Sequence, residues 1–236
     1  MTEEATQPKE TRAAAAQGEP SPDRQARPPE DIATRISLAF HSVLYYAGRA
    51  ADRMVSLYSK TFRMDPAYRA EYYKSVGLSH AGKGRHEKAI PPLERALAAL
   101  PDDPDIRLHL GKAYFVCGEF GKAAAHLEKA LEANPNAPDV LFSLGMLNSR
   151  KGEYDGAIEF FRKTIEMEPE NAQAHYRIGM AFGNLKRHEE AIAFLQKAVR
   201  LNPLDAKAQQ ALGFAYESMG DRESAVACFK KALEAD

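Results

Sequence analysis

The sequence has little of what nucleic-acid-binding and membrane-spanning proteins need. Its 236 residues include 32 Lys+Arg against 33 Asp+Glu, a net charge of −1. There is no basic excess to neutralise phosphates, so nucleic acid is not an expected partner. No apolar run reaches the roughly 20 residues that a membrane-spanning helix needs. The longest candidate, 36–48, contains His41, so we expect no membrane span.

Side chains that carry chemistry are also scarce. The two cysteines, Cys117 and Cys228, have neither metal-ligand spacing nor a disulfide framework, so we expect two inert buried thiols and a reducing compartment. The histidines never pair at the i, i+4 spacing of a metal site. No glycine-rich phosphate loop or GxSxG motif is present. We therefore expect no cofactor, no metal, no small-molecule substrate and no enzymatic activity. The polar start MTEEATQPKE lacks the apolar core of a secretory signal.

What the sequence does contain is a period of 34 residues. Each unit has a glycine, an alanine twelve residues later and a bulky apolar residue four positions after that alanine. Proline closes four of the units at the same step. The members are Gly77, Gly111, Gly145, Gly179 and Gly213; Ala89, Ala123, Ala157, Ala191 and Ala225; Leu93, Leu127, Phe161, Leu195 and Phe229; and Pro101, Pro135, Pro169 and Pro203.

Local signals place two helices in each unit. Apolar residues recur at helical spacing in two segments, and the recurring proline cannot continue a helix interior. Asp103 before Pro104 is typical of an N-cap and first helical residue, and Asn171 and Asp205 offer the same cap. A left-handed glycine is predicted to end the first helix in four units, while Lys186 takes its place in the fourth unit. These glycines are Gly84, Gly118, Gly152 and Gly220.

Pro91 and Pro92 conflict with this pattern. We expect Pro91 in the first turn of a helix and expect Pro92 to bend that helix or delay its start.

The small residues of the repeat let helix backbones approach to ~8–10 Å while neighbouring apolar side chains interdigitate. No unit can bury its apolar face alone, so stability must come from stacked neighbours. The sequence predicts an all-α solenoid with five regular units over 70–236.

The period and pattern of 70–236 resemble the tetratricopeptide repeat. The resemblance implies a right-handed superhelix of antiparallel helix pairs, in which the first helix of each unit lines a concave groove. Mixed basic and apolar groups would suit an acidic or amphipathic segment there, and we expect about half of them to face solvent. The predicted groove residues are Lys74, Leu78, His109, Lys112, Phe115, Phe142, Met146, Arg177, Met180 and Phe214.

Some members of that family grip chaperone tails through a carboxylate clamp. The clamp needs a lysine and an asparagine in one unit, an asparagine in the next, and then a lysine and an arginine together. Lys74 is present, but Leu78 and His109 stand where asparagines are required. We therefore expect no clamp of this kind.

The N-terminal part differs from the repeats. Residues 1–30 are too polar to bury a core, so we expect a disordered tail. Residues 31–69 have the length of one degenerate leading repeat, with two amphipathic helices broken near Gly48. This segment could cap the first true unit, dock on another copy or lie on an anionic membrane surface. Its charges between 35 and 64 are Arg35, Arg49, Arg53, Lys60 and Arg63 against Asp52.

A closer resemblance covers roughly 31–236. The segments 71–85, 108–114, 177–192 and 211–226 are similar to the magnetosome-associated repeat proteins of magnetotactic bacteria. This implies a soluble, cytoplasmic protein that self-assembles, coats the cytoplasmic face of the magnetosome membrane and scaffolds other magnetosome proteins. The alternative is a repeat adaptor for another bacterial assembly, in envelope or secretion machinery.

Self-assembly has a physical counterpart in the sequence. Asp236 is position 31 of the last unit, so we expect its outer face to expose Leu233 and Phe229. A contact between that face and the leading segment would not close on itself, and could build large assemblies. The expected partners are therefore the protein itself, magnetosome membrane proteins and an anionic membrane surface. The candidate self-assembly residues are Phe40, Leu44, Leu57, Tyr58 and Leu233.

Overall fold

The computed structural model describes residues 66–235, which form ten α-helices and no β-strand. Odd-numbered helices are the first helices of successive units, and even-numbered helices are the second. The predicted all-α fold of stacked helix pairs is confirmed. The helices are α1 Pro66–Gly82, α2 His86–Ala99, α3 Pro104–Val116, α4 Phe120–Ala133, α5 Pro138–Lys151, α6 Tyr154–Met167, α7 Ala172–Asn184, α8 His188–Leu201, α9 Ala206–Ser218 and α10 Arg222–Ala235.

The recurring glycines lie where the two helices of a unit cross. All five are buried, and each faces the bulky residue sixteen positions later. A Cβ added to Gly145 would lie 2.6 Å from Phe161 Cε1, and one added to Gly179 would lie 2.5 Å from Leu195 Cγ. Each second helix also packs against the first helix of the next unit. The core is therefore continuous from unit to unit, as the small-residue pattern predicts.

The predicted helix ends are confirmed. The four glycines that follow first helices have φ between +68° and +83°, and Lys186 takes the same left-handed conformation with φ +59°. The Asp103 carboxylate accepts hydrogen bonds from two backbone N–H groups at the start of α3, and Asp205 does the same for α9. Asn171 accepts one from Ala174. Each closing proline stands two residues after the last residue of a second helix.

The expectations that Pro91 lies in the first turn and that Pro92 delays the start of the helix are wrong. Helix α2 begins at His86 and runs through both Pro91 and Pro92, so neither is in the first turn and the start is not delayed. Each proline removes one intrahelical hydrogen bond, which leaves the carbonyls of Glu87 and Lys88 without a partner in the helix. Both of these residues are exposed, so water can hydrate the two carbonyl groups.

A hydrogen bond that the sequence analysis missed recurs between units. Arg107, His175 and Gln209 occupy the same position in three first helices, 34 residues or a multiple of 34 apart. Each donates to the carbonyl of the proline that closes the preceding unit: Pro101, Pro169 or Pro203. The third unit has Leu141 at this position and cannot form the bond. The bond ties the start of each of these first helices to the preceding loop.

The expectation of two buried thiols is half wrong. Cys228 is buried and Cys117 is exposed, because Cys117 is the C-cap of α3 and stands at the surface beside Gly118. Within 66–235, no helix is long and apolar enough to cross a membrane. The same residues contain no group of three His, Cys, Asp or Glu side chains that could hold a metal ion.

Candidate protein-interaction face

The ten predicted groove residues all lie on first helices, and we call them together the first-helix face. Met180 and Phe214 are exposed, at 39% and 53%. The other eight side chains are half-buried, so the face is only partly open to solvent. These eight are Lys74, Leu78, His109, Lys112, Phe115, Phe142, Met146 and Arg177.

The two lysines of the first-helix face are neutralised within the protein. Lys74 Nζ lies 2.6 Å from Asp103 Oδ2 and 3.6 Å from an Asp105 oxygen, and Lys112 Nζ lies 3.1 Å from Asp139 Oδ1. Burial alone would raise the pKa of Asp103, but hydrogen bonds from Lys74 and two backbone amides outweigh it and lower that pKa. These ion pairs link neighbouring first helices.

His109 lies beside these ion pairs. Burial, followed by the nearby Lys112 charge, lowers the pKa of His109 below its usual value near 6.5. The imidazole is therefore neutral at pH 7 and adds no charge to the face. With both lysines paired and His109 neutral, the N-terminal half of the face offers little net positive charge.

The aromatic residues of the face serve packing as well as exposure. Phe142 lies 5.3 Å from Phe161 between ring centroids, and Phe214 lies 5.1 Å from Phe229. Phe161 and Phe229 are the residues that fill the space over a glycine. Phe142 and Phe214 therefore each cover the helix crossing of their own unit, and part of each side chain stays exposed to solvent. Phe115 instead contacts Phe120, the first residue of α4, with 5.9 Å between ring centroids.

A hollow of about 500 Å³ lies between α7 and α9, with α8 as its floor. We call it the α7–α9 hollow. Of the predicted groove residues it contains Met180 and Phe214; Tyr176, Lys207 and Gln210 were missed. A sequence signal for Lys207 does exist. Positions 71, 105, 139, 173 and 207 are equivalent in the five units; the first three are acidic and the last is a lysine. The lining residues are Tyr176, Gly179, Met180, Gly183, Asn184, His188, Ala191, Leu195, Lys207, Gln210, Ala211, Phe214, Ala215 and Ser218.

The predicted self-assembly residues divide between two parts of the chain. Phe40, Leu44, Leu57 and Tyr58 lie outside the described residues. Leu233 lies on α10, and 80% of its surface is exposed. Val226, on the same helix, is 67% exposed, while Phe229 is half-buried against Phe214. The last helix thus presents apolar surface outward.

Comparisons with known proteins agree with this architecture. Family models described as tetratricopeptide repeat match residues 80–147, 150–206 and 206–236. The solved MamA structure from strain AMB-1 is 37% identical, with a TM-score of 0.61 over 71% of this chain and 91% of that one. The chain is a tetratricopeptide-repeat protein of the MamA family. The MamA structure from strain MSR-1 is 36% identical, with a TM-score of 0.62 over 71% of this chain and 97% of that one.

Sequence similarity to the curated MamA proteins is more local. The relative named "Magnetosome protein MamA" from Paramagnetospirillum magnetotacticum is 35% identical over 83 residues, which are 35% of this chain. That match spans 38% of the relative's length. The tetratricopeptide repeat is a fold of protein–protein interaction in general.

Proposed function

We propose that the protein is a non-catalytic interaction scaffold of the magnetosome. In this proposal it self-assembles on the cytoplasmic face of the magnetosome membrane and recruits other proteins through its first-helix face. The observation that carries the proposal is a row of partly exposed apolar and polar side chains along five successive first helices. Similarity to proteins named for the magnetosome supports the location.

Recruitment is supported by the kind of side chain on the face. Met146 and Met180 are flexible and polarisable, so they adapt to irregular partner surfaces. Phe214 adds an exposed aromatic ring, a residue type enriched at the centre of interfaces. Such a surface suits an amphipathic segment that presents apolar anchors.

Self-assembly is supported by α10. Leu233 and Val226 expose most of their apolar surface, and burying it against another copy would be favourable. The candidate counterpart in the proposal is the leading segment with Phe40, Leu44, Leu57 and Tyr58. A contact between two different surfaces can repeat from copy to copy, and it builds an open assembly when the rotation between copies does not close into a ring. Such an open assembly is suited to a coat.

Light scattering across a range of protein concentrations tests self-assembly. The full chain should form large species, Leu233→Glu should reduce their size, and so should a Phe40→Asp/Leu44→Asp double variant. Leu204→Glu is the matched control, because Leu204 is 77% exposed but lies in the loop between α8 and α9. A full chain that stays monomeric at high concentration would contradict self-assembly.

Location and recruitment need a separate experiment in a magnetotactic bacterium. A fluorescently tagged chain should line up with the magnetosomes, and pull-downs should recover magnetosome membrane proteins. Recovery of envelope or secretion components instead would support the alternative adaptor function. Binding of the full chain to anionic vesicles that weakens with salt would support direct contact with the membrane surface.

A further inference from the structure

We propose that a basic patch on the last three second helices binds the surface of an anionic membrane, through the phosphates of its lipid headgroups. The inference rests on the proposed location at the magnetosome membrane and deepens it, because it names the surface of the protein that contacts the lipid. We call this surface the second-helix patch. Its six residues are Arg162, Lys163, Lys197, Arg200, Lys230 and Lys231.

Helix contacts separate the second-helix patch from the first-helix face. Consecutive first helices contact each other, as α3 does with α5 and α7 with α9. Helices α6 and α8 each pack against the first helix of their own unit and against that of the next unit. The second helices therefore form a layer behind the first helices. Five of the six patch side chains are exposed there, and Lys197 is half-buried.

Charge is unevenly distributed along the layer of second helices. In the first two units, the C-terminal parts of these helices carry two basic residues against three acidic ones. In the last three units, the equivalent parts carry six basic residues against three acidic ones. The position of Glu94 and Glu128 is Arg162 in the third unit and Lys230 in the fifth. The segments compared are 91–98 and 125–132, then 159–166, 193–200 and 227–234.

The six cations have no carboxylate partner among residues 66–235, where every ion pair involves a different cation. Arg162 lies over the ring of Phe194, 5.8 Å from its centroid, and Lys163 lies over Phe160 at 6.0 Å. An aromatic ring attracts a cation without neutralising its charge. The patch therefore keeps its positive charge for an anion from outside.

The side chains around the patch favour a lipid surface over a protein partner. The position one turn before Arg162 and Lys230 is Glu159 in the third unit and alanine in the next two, at Ala193 and Ala227. The centre of a protein interface is instead built from large apolar and aromatic anchors. Clusters of four to eight Lys and Arg residues are typical of contact with anionic lipids. A lysine is a point charge on a flexible stem, so it needs no shaped pocket to bind a mobile headgroup.

Co-sedimentation of the full chain with vesicles tests the assignment. Vesicles of phosphatidylcholine with about one third phosphatidylglycerol should bind the chain, and pure phosphatidylcholine should not. The binding should weaken as the salt concentration rises. The triple variant Lys163→Glu/Lys197→Glu/Lys231→Glu should lower binding at least about tenfold, because each basic residue near an anionic surface contributes roughly fivefold.

Two further variants serve as controls for net charge and for the leading segment. Lys83→Glu/Lys151→Glu/Lys207→Glu changes the net charge equally at three exposed lysines outside the patch, and it should bind like the wild type. Neutralising the leading segment in the full chain should also preserve most of the binding. That variant is Arg49→Gln/Arg53→Gln/Lys60→Gln/Arg63→Gln.

Lysine acetylation of the wild-type chain locates the contact directly. Anionic vesicles should protect Lys163, Lys197 and Lys231 from the reagent, as measured by mass spectrometry of the digested protein. Lys83 and Lys151 should react equally with and without vesicles.

Several results would overturn the proposal. These are no binding of the wild type to the anionic vesicles, an equal loss of binding in both triple variants, and a loss in the leading-segment variant alone. If polyglutamate bound the patch and the vesicles did not, the partner would be an acidic protein and the assignment to lipid would be wrong.

Light scattering of the patch variant separates this proposal from the proposed scaffold function. The variant should self-assemble like the wild type, because Leu233 and Val226 are unchanged. Vesicle binding by a chain that does not self-assemble would leave the membrane assignment standing. Self-assembly without vesicle binding would leave the scaffold standing and refute the membrane assignment.

Discussion

At the scale of single residues, the glycines at the helix crossings determine how closely the helices approach. Glycine in a helix costs roughly 0.5–1 kcal/mol relative to alanine. In return, the bulky residue of the second helix packs directly onto the backbone of the first, as Leu195 does at Gly179. The fully buried Leu195 and Phe161 each contribute about 1.5–3 kcal/mol by burial, which outweighs the lost helix propensity.

Gly179→Leu and Gly183→Ala, four residues apart on α7, should have opposite effects. Gly179→Leu would force its side chain into Leu195 and should lower the free energy of unfolding by about 3 kcal/mol or more. Gly183→Ala should raise it by roughly 0.5–1 kcal/mol, because the site is open and alanine favours the helix. Urea unfolding followed by circular dichroism measures both. An unchanged stability in Gly179→Leu would show that the crossing is not tightly packed.

Asp103 combines a charge and a helix cap, and two substitutions separate them. Asp103→Asn keeps the N-cap oxygen but loses the ion pair with Lys74, which should cost about 1–2 kcal/mol at pH 7. Asp103→Ala loses both and should cost about 1 kcal/mol more. Denaturant unfolding of the wild type and both variants provides the measurement, and equal costs would mean that the cap contributes nothing.

The ion pair also has a predicted pH dependence. The folded pKa of Asp103 lies below its unfolded value near 3.8. Its stabilising contribution is therefore complete well above pH 3.8 and is lost as the pH falls through the folded pKa. The difference in stability between the wild type and Asp103→Asn should be full at pH 6 and should shrink below pH 3.8. A difference that stays constant down to pH 2 would contradict this explanation.

At the scale of helices, the loops between units are held by side chains of the helix that follows. His175 is buried, and its Nε2 donates to the Pro169 carbonyl at 3.0 Å. Gln209 makes the equivalent bond to Pro203, although a histidine and a glutamine share little except a donor of similar reach. This position of the repeat thus keeps a hydrogen-bond donor in these units, although the residue type differs between them. Leu141 shows that the fold tolerates the absence of the bond where the position is apolar.

His175→Ala should be more destabilising than His175→Gln. Alanine leaves the Pro169 carbonyl without this donor and leaves a cavity, for a cost of about 2–3 kcal/mol. Glutamine can restore the bond, as Gln209 does in the fifth unit, and should recover at least half of that loss. Thermal unfolding of the two variants checks the order. Equal midpoints would show that the imidazole acts through its volume alone.

At the scale of the whole array, each helix depends on its neighbours in the chain. First and second helices alternate in contact from α1 to α10, so stability is close to a sum of unit and interface contributions. Within the described residues, an inner unit packs against a neighbouring unit on both sides, whereas the fifth unit packs against a neighbour on one side. The same arrangement aligns equivalent positions of successive first helices. One of these positions carries Asp105 and Asp139 in the second and third units and Lys207 in the fifth. The surface charge at that position therefore changes from negative to positive along the array.

The position of a unit in the array should therefore determine how far a local defect spreads. Gly145→Leu, in the third unit, should lower the thermal midpoint of the whole array. Gly213→Leu, in the fifth, should abolish amide hydrogen-exchange protection mainly in 206–235 and leave the earlier units protected. Hydrogen exchange followed by mass spectrometry distinguishes the two patterns. Equal loss of protection throughout the array in both variants would contradict the nearest-neighbour description.

The sequence by itself determined the repeat, the helix ends and the helix crossings. These depend on residues at fixed short spacings, such as Gly145 with Phe161 or Asp103 with Pro104, and the 34-residue period repeats each of them. The set of first-helix face residues, Phe142 and Met146 among them, came from the resemblance to the tetratricopeptide repeat and stays a prediction as a binding site. The sequence failed on the position of Pro91 and on the start of α2, since whether a helix tolerates proline depends on water reaching the freed carbonyls.

Only the tertiary structure decided which charged groups of the first helices remain available. Lys74, Lys112 and Lys207 look alike in the sequence, but the first two meet aspartates 29 and 27 residues away and Lys207 meets none within the described residues. The hollow beside Lys207 likewise exists only where Met180, Phe214 and the open wall at Gly183 come together in space. Pairing and cavities depend on distances between atoms of different units, and a residue pattern along the chain does not specify those distances.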